Sequence, residues 1–344
     1  MTNFDQGWFV PLQLVLMFLL SIVTYQYVER PLRHAAVLKP NWRAISVFVV
    51  ASTCCAVTVA QFRHVKSLFG LPSATERGTA GFPPPFVPLT SSGLGFDPTC
   101  VVDGKKRPLQ DNTFELCTVW PKRPDEQMIW TLGDSHAGHL QALLMALHSR
   151  MGVGVHLIET PGVAFPIPPG KSFEPRQRIY DMIAEKLRPG DIVLLGRLFL
   201  DRTGDGVLDD VPEWSVELGK LARQLAARKV NVVVVGPPVM FRFSTLLSCW
   251  PVSVCEIDRT AAAKRVEQVQ QILRTAAQQS DNIFLFDPFT VICPAGTAAC
   301  TPFRNGQAIF RDKDHFNSLG AELLTDAFAT FLKANALIVE AEGK

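Results

Sequence analysis

Several features are scarce in this chain, and each scarcity closes off a class of function. Charge of one sign is the first: 34 Lys and Arg stand against 32 Asp and Glu, a formal net charge of +2. No basic stripe interleaved with aromatics stands out, so nucleic acid has no electrostatic footprint here. A Gly-rich phosphate loop and a fixed-period repeat are both missing. None of the cysteines has the CxxC-type spacing with a nearby His that zinc sites use, so no metal and no cofactor is expected. The acidic stretch Asp201, Asp205, Asp209 and Asp210 lacks EF-hand spacing and reads as a solvated loop.

What is present is apolar and loop-rich: 47% hydrophobic residues and 25 prolines in 344 residues. That length accommodates one large core plus membrane segments. Of eight cysteines, Cys54 and Cys55 sit in an apolar run and read as small hydrophobes. The other six fall into close pairs in Pro- or Gly-rich stretches: Cys100 and Cys117, Cys249 and Cys255, Cys293 and Cys300. Six cysteines allow about 15 connectivities, and the simplest is three local disulfides.

Residues 8–27 carry no charge and have aromatics at both ends, which suits a bilayer span. A cleaved signal peptide needs a basic stretch before the apolar core, whereas this segment is preceded by Asp5 and by no Lys or Arg. A second uncharged stretch covers residues 44–62. Between the two lie Arg30, Arg33, Lys39 and Arg43 against the single acid Glu29. The positive-inside rule puts this loop in the cytoplasm and everything after residue 62 outside it. That side is oxidising, the place where disulfides persist. Residues 63–99, with GFPPPFVP and SSGLG, read as a linker.

From residue 100 to the C-terminus, short apolar runs alternate with helical patterns. Strands are expected over 127–132, 153–158, 191–195, 230–236 and 283–286. Helices are expected over 136–150, 174–187, 213–229, 258–279 and 318–334. Five buried strands alternating with helices predict an α/β domain with a parallel sheet covered on both faces. In such sheets reactive groups collect at the carboxyl ends of the strands.

The first strand runs into IWTLGDSHAGHLQALL, so Ser135 stands where strand gives way to helix. That position exposes its hydroxyl and sets its N–H where an oxyanion would form. Taken alone, the same residues read more readily as a helix cap made by Asp134 and Ser135. Near the other end, IFRDKDHFNSLGAELL places Asp312 and His315 before the last helix. A His can take a proton from a serine while a carboxylate holds its other nitrogen. Asp314 is a second carboxylate beside His315, and spacing does not choose between the two acids. His136 and His139, on the helix after Ser135, either line the site or merely pack, and packing or surface is the favoured reading.

The two motifs together, GDS at the end of the first strand and DxxH ahead of the last helix, resemble the SGNH (GDSL-like) hydrolase superfamily. The GDSHA and DHxxxxGA forms are similar to the subgroup fused to acyltransferase-3 membrane domains, which O-acylate bacterial surface polysaccharides. The resemblance covers residues 100–335 or so. It extends to VVVVGPPV followed by a Cys, to Cys293 and Cys300 ahead of DxxH, and to YQYVERPLR at 25–33, which looks like the end of an acyltransferase-3 domain. It implies a three-layer, flavodoxin-like domain of about five parallel strands at 100–344. Two transmembrane helices would precede it: the last helix of an acyltransferase-3-like domain in 1–33, and a loop and second helix in 34–62.

The resemblance also implies roles. Ser135 is the expected nucleophile, with His315 and Asp312 completing the triad, and Gly162 in ETPGVAF matches an oxyanion glycine. The Asn of the family's GxND motif is missing from LLGRLFLDR. Arg197 is the candidate in its place, holding the oxyanion or a sugar hydroxyl; the competing reading is an Arg that pairs an acid. The implied function is O-acyl (acetyl) transfer to a periplasmic or cell-surface polysaccharide, by a protein of the cytoplasmic membrane whose catalytic domain lies outside it. The remaining membrane domain of such proteins is not in this sequence. The acyl donor is therefore expected from a separate acyltransferase-3 protein, unless the chain is a shortened gene product. A carbohydrate O-acetyl esterase uses the same covalent chemistry with water as acceptor. A catalytically degenerate glycan-binding domain is the non-enzymatic alternative.

Overall fold

The computed structural model of the protein describes residues 95–338 apart from 105, 169, 204–205, 244–245, 247–248 and 250–251, together with Val15, Phe18, Leu19, Ile22, Tyr25, Gln26 and Arg30. Nearly all of the expected spans at 8–27 and 44–62, and of the linker, lies outside the described residues. Among the described residues no helix is long and apolar enough to cross a membrane. The chain divides into two compact units, Met1–Arg77 and Gly78–Lys344.

In the second unit, apolar runs too short for helices become the strands of one sheet. They are β1 Thr118–Val119, β2 Met128–Gly133, β3 Gly154–Leu157, β4 Ile192–Gly196, β5 Asn231–Val235 and β6 Ile283–Phe286. Their order is β1-β3-β2-β4-β5-β6. All neighbours are parallel except β1, which runs antiparallel to β3. β2, β3 and β4 are buried along their whole length, as strands covered on both faces must be. The five parallel strands fall within about two residues of their expected ranges. The sixth, β1, was not expected: two residues carry no periodicity. It forms because the chain leaving the Cys100–Cys117 disulfide pairs with β3, Thr118 opposite His156.

The helices follow from apolar spacing. In α4, Val211–Ala226, the buried residues include Trp214, Leu218, Leu221, Ala222 and Leu225, while Glu213, Glu217, Lys220 and Arg223 face out; this is a 3.6-residue stripe. α5, Arg259–Ala277, is capped by the Asp258 carboxylate, which accepts from the Ala261 N–H at 2.7 Å. α4 packs on α5, and α2, Gln141–Met151, packs on the C-terminal helices α6, Ser318–Glu322, and α7, Thr325–Ala334. α3, Glu174–Lys186, links β3 to β4.

Two expected helices are broken in two. The first divides into α1, Ser135–Gly138, and α2. Glu159 lies against Gly138 at the break, so close that a Cβ there would meet Glu159 Oε2 at 2.0 Å. The last divides into α6 and α7 at Leu323 and Leu324. The three cysteine pairs are joined as disulfides, Cys100–Cys117, Cys249–Cys255 and Cys293–Cys300.

With the five parallel strands counted alone, chain order reverses between β2 and β4. Open α/β sheets form their crevice at such a reversal, outside the carboxyl ends of the strands. Gly133 and Gly196 end β2 and β4 and are register partners. Neither tolerates a side chain: a Cβ on Gly133 would lie 1.8 Å from the Gly196 carbonyl oxygen, and one on Gly196 would lie 2.8 Å from Ala137 Cα. The two glycines let α1, which carries Ser135, settle directly on the strand ends.

Candidate active site

Asp134 occupies the N-cap of α1, and its carboxylate accepts from the His136 N–H at 2.8 Å. The other carboxylate oxygen accepts from the Leu198 N–H at 2.9 Å. The capping alternative read from the sequence is thus what Asp134 does, and Ser135 is left free to point elsewhere. Its Oγ lies 2.7 Å from His315 Nε2, a contact between residues 180 apart in sequence.

His315 is presented by a tight loop whose ends meet in a bridge between the buried residues Phe310 and Phe316. Asn317 closes it, accepting from the Gly320 N–H at 2.9 Å and donating to the Ala308 carbonyl at 2.6 Å. Within the loop the Asp312 carboxylate accepts from the backbone N–H of Asp314 at 3.1 Å and of His315 at 2.8 Å. Both Asp312 oxygens are 3.0 Å from His315 Nδ1. An Nδ1–H donor shared between these oxygens leaves Nε2 as the lone-pair nitrogen facing Ser135. The structure therefore brings Ser135, His315 and Asp312 together in a chain of hydrogen bonds.

Asp314 also approaches His315: its Oδ1 is 3.4 Å from Nδ1, and its Oδ2 is 3.6 Å from His136 Nε2. His136 and His139 are buried, as the packing reading expects, and they pack beside His315. Their rings lie 4.7 and 5.9 Å, centroid to centroid, from that of His315. His139 Nδ1 accepts from the Phe316 N–H at 3.3 Å. Burial, reinforced by the neighbouring His136 and His315, holds His139 well below the usual imidazole value and hence neutral.

Burial alone would lower His315 as well, but the Asp312 and Asp314 carboxylates outweigh it and lift the imidazole to about 9. The reciprocal effect acts on the acids. Burial would raise both, yet the His315 contact lowers Asp312, and His136 with His315 holds Asp314 well below the carboxylate range. Among the described residues one group, His136, Asp314 and His315, brings potential metal-ligand atoms within 4.8 Å of one another. The Arg202 guanidinium already stands 3.5 Å from Asp314 Oδ2, so the group is read as histidine–carboxylate pairs.

Of the two further expected residues, Gly162 lies in the turn after β3, in the left-handed region at φ +73°. Thr160 begins that turn and donates through its hydroxyl to the Gly133 carbonyl at 3.2 Å, tying the turn to the strand that leads to Ser135. Arg197 is buried, and its hydrogen bonds run elsewhere. It donates to Asp210 at 2.7 Å and to the Leu198 carbonyl at 2.9 Å, and its guanidinium lies 5.1 Å from the Trp214 ring centroid. The reading of Arg197 as an Arg paired to an acid describes these contacts; Nη1 is buried with no hydrogen-bond partner among the described residues.

Two buried charges were missed in the sequence. Arg176, on α3, is fully buried and donates to the Gly133 carbonyl, the Thr160 hydroxyl and, at 3.4 Å, the Ile158 carbonyl. In EPRQR it looks like one more surface helix residue. Burial brings it down to about 9, against the pull of Asp134 and Glu159, so it stays charged at neutral pH. Glu159, at the end of β3, is raised to about 7 by burial.

No curated protein sequence matches the chain. Among solved structures it is similar to the periplasmic domain of a lipopolysaccharide acetyltransferase from Salmonella ser. Paratyphi A. Identity is 14%, with 61% of this chain and 85% of that one covered and a TM-score of 0.48. It is also similar to an acetylxylan esterase from Geobacillus stearothermophilus, solved as a catalytic mutant. There identity is 13%, with 63% and 98% covered and a TM-score of 0.34. Likenesses this distant carry no argument about chemistry. The sequence itself goes further: residues 99–330, more than half of the 344, match the family described as the SGNH domain (fused to AT3 domains), and the chain belongs to that family.

Proposed function

We propose that the protein is a serine acyltransferase that moves an O-acyl group, acetyl in the simplest case, onto a hydroxyl of an extracytoplasmic polysaccharide. The observation that carries this reading is the 2.7 Å contact between Ser135 Oγ and His315 Nε2, with Asp312 on the opposite ring nitrogen. His315 takes the Ser135 proton as Oγ bonds to the acyl carbon. The oxyanion that forms is met by the N–H groups of Ser135 and Gly162. His315 then returns the proton to the leaving oxygen, and an acyl-serine remains. A glycan hydroxyl gives its proton to His315, attacks the acyl carbon and frees Ser135. Arg197 supports the site from beneath, through Asp210 and the chain at Leu198.

Family membership with domains fused to AT3 proteins supports a membrane-borne donor. Three disulfides support an oxidising compartment. In this reading the segments at 8–27 and 44–62 anchor the chain in the cytoplasmic membrane. Residues 63–99 tether an extracytoplasmic domain at 100–344, and a membrane acyltransferase-3 protein delivers the acyl group. The topological reason is that two uncharged spans offer no polar path for a cytoplasmic donor.

The test is to express the full chain, and its Ser135→Ala variant, in strains with and without an acyltransferase-3 protein, and to analyse surface glycans. Ser135-dependent O-acetyl groups that need the donor protein are expected. New O-acetyl groups without it would remove the partner from the scheme. Ser135-dependent loss of existing groups would make the protein a deacetylase. No change in either strain would leave a glycan-binding domain.

A further inference from the structure

The Ser135–His315–Asp312 chain uses one carboxylate, yet two face His315 Nδ1. We propose that Asp314, shared between His315 and His136, is a second positioning residue that sets the pH at which Ser135 is activated, while Asp312 fixes the geometry of the imidazole. The inference rests on the acyl-serine reading for its kinetic consequence, but not for its physical content.

The two acids differ in surroundings. The Asp312 side chain is 41% exposed, and that of Asp314 is 4% exposed. A charge in contact with water is screened, whereas a buried one acts at low effective dielectric. Asp312 has the better hydrogen-bond geometry, with both oxygens at 3.0 Å and two backbone N–H groups holding its carboxylate in place. Asp314 is farther from Nδ1, at 3.4 Å, and its second oxygen is 3.6 Å from His136 Nε2, which has no hydrogen-bond partner among the described residues. Asp312 therefore supplies orientation, and Asp314 supplies most of the field.

The other groups facing His315 do not supply this field. Ser135 and His136 on α1 and His139 just after it bring no negative charge. Arg311 lies on the same loop, 3.6 Å from Asp312, and Arg202 on the loop after β4 touches Asp314; both cations oppose protonation of the ring. Glu159 is itself raised toward neutrality by burial. His136 and Arg202, 3.6 and 3.5 Å from Asp314 Oδ2, help Asp314 keep its charge in the interior. The sequence GDSHA…DKDH thus carries three His–Asp contacts, two of them made by Asp314.

A carboxylate that holds the imidazole protonated slows the step in which His315 accepts a proton, because only the neutral ring can do so. Removing it moves activation to lower pH. The experiment uses the full chain and 4-nitrophenyl acetate, with pH profiles of kcat and KM for the wild type, Asp314→Asn and Asp312→Asn. For Asp314→Asn the acid limb is expected to move down by about one pH unit or more, with KM unchanged and the plateau kcat within about tenfold of wild type. For Asp312→Asn the plateau itself falls by about 100-fold or more. An Asp314→Asn limb that stays in place overturns the proposal.

A second measurement needs no turnover and covers the case in which Asp314→Asn does not fold. His315 is titrated by NMR in Ser135→Ala and in Ser135→Ala/Asp312→Asn chains. With Asp314 intact, the ring should still titrate above about 6.5 after Asp312 is neutralised. A return to that value or below would mean that Asp312 alone supplies the field, and the proposal fails. Wild-type protein with no Ser135-dependent hydrolysis would sink the acyl-serine reading instead, while the titration still decides the role of Asp314.

Discussion

The two halves of the site are built from different materials. On the Ser135 side the backbone does most of the holding: Gly133 and Gly196 pack without side chains, and Arg176, Thr160 and Asp134 bind main-chain groups. On the His315 side the holding is done by carboxylates that meet imidazoles: Asp312, Asp314, His136 and His315. Contacts of the first kind are steric or neutral at one partner and change little with pH. Contacts of the second kind titrate. The nucleophile half should respond to substitutions that alter shape or burial, and the base half to pH.

The bluntest way to break this pairing is Ser135→Ala. Hydrolysis of small acetyl esters should fall by at least about 10³-fold, since Ser135 is the hydroxyl that meets His315 Nε2 among the described residues. The fold should be unaffected, which circular dichroism and Tm would check. Activity retained in this variant would mean that the 2.7 Å contact is incidental.

Arg176→Gln probes the backbone-held half more gently. It removes the charged donor from the Gly133 carbonyl and takes one positive charge away from Asp134 and Glu159. A cost on the order of 3 kcal/mol is expected, about 10 °C in Tm for a domain of this size. kcat should fall with little change in KM, because the loop before Ser135 loosens. An unchanged Tm would show that this buried charge is not holding the strand end.

The base half is sharpened by the wild-type pH profile. His315 is lifted to about 9, and in the proposed mechanism it must be neutral to accept the Ser135 proton. The rate should therefore climb about tenfold per pH unit below that value and level off above it. A limb near 6.5 would show that the carboxylates do not control the ring.

The smallest effect separates burial from pairing. Glu159 is raised to about 7 because it is buried, so the folded state binds its proton more tightly than the unfolded chain. The resulting stability is present at acid pH and lost as pH rises from about 4.5 through 7, by roughly 3 kcal/mol in all. Glu159→Gln should gain Tm relative to wild type by several degrees more at pH 8 than at pH 5. Parallel Tm curves would mean that the carboxyl keeps a compensating partner.

Much of the fold was legible because it is written in local patterns. The runs at 191–195 and 230–236 are apolar and bounded by helical stripes, which is enough to predict buried parallel strands. The two-residue β1 carries no pattern and exists only where the chain after Cys117 meets β3. At the site, GDS and DxxH were legible as motifs of residue type and spacing. Arg176 was not: its spacing in α3 is that of a surface residue, and its partners lie 43 and 16 positions away. Arg197 shows the reverse, since the motif comparison pointed it toward the oxyanion, whereas its contacts run to Asp210, Leu198 and Trp214.

The sequence by itself determined the parallel α/β class, the grouping of the cysteines and the residue types from which the site is made, because each depends on neighbours within a few positions. Only the tertiary structure decided which acids face His315 and from which surroundings. Asp312 and Asp314 are two residues apart and chemically alike, yet one reaches solvent and the other is enclosed with His136. That difference in dielectric arises from α1 packing on the loop 180 residues further on, and no local pattern records it.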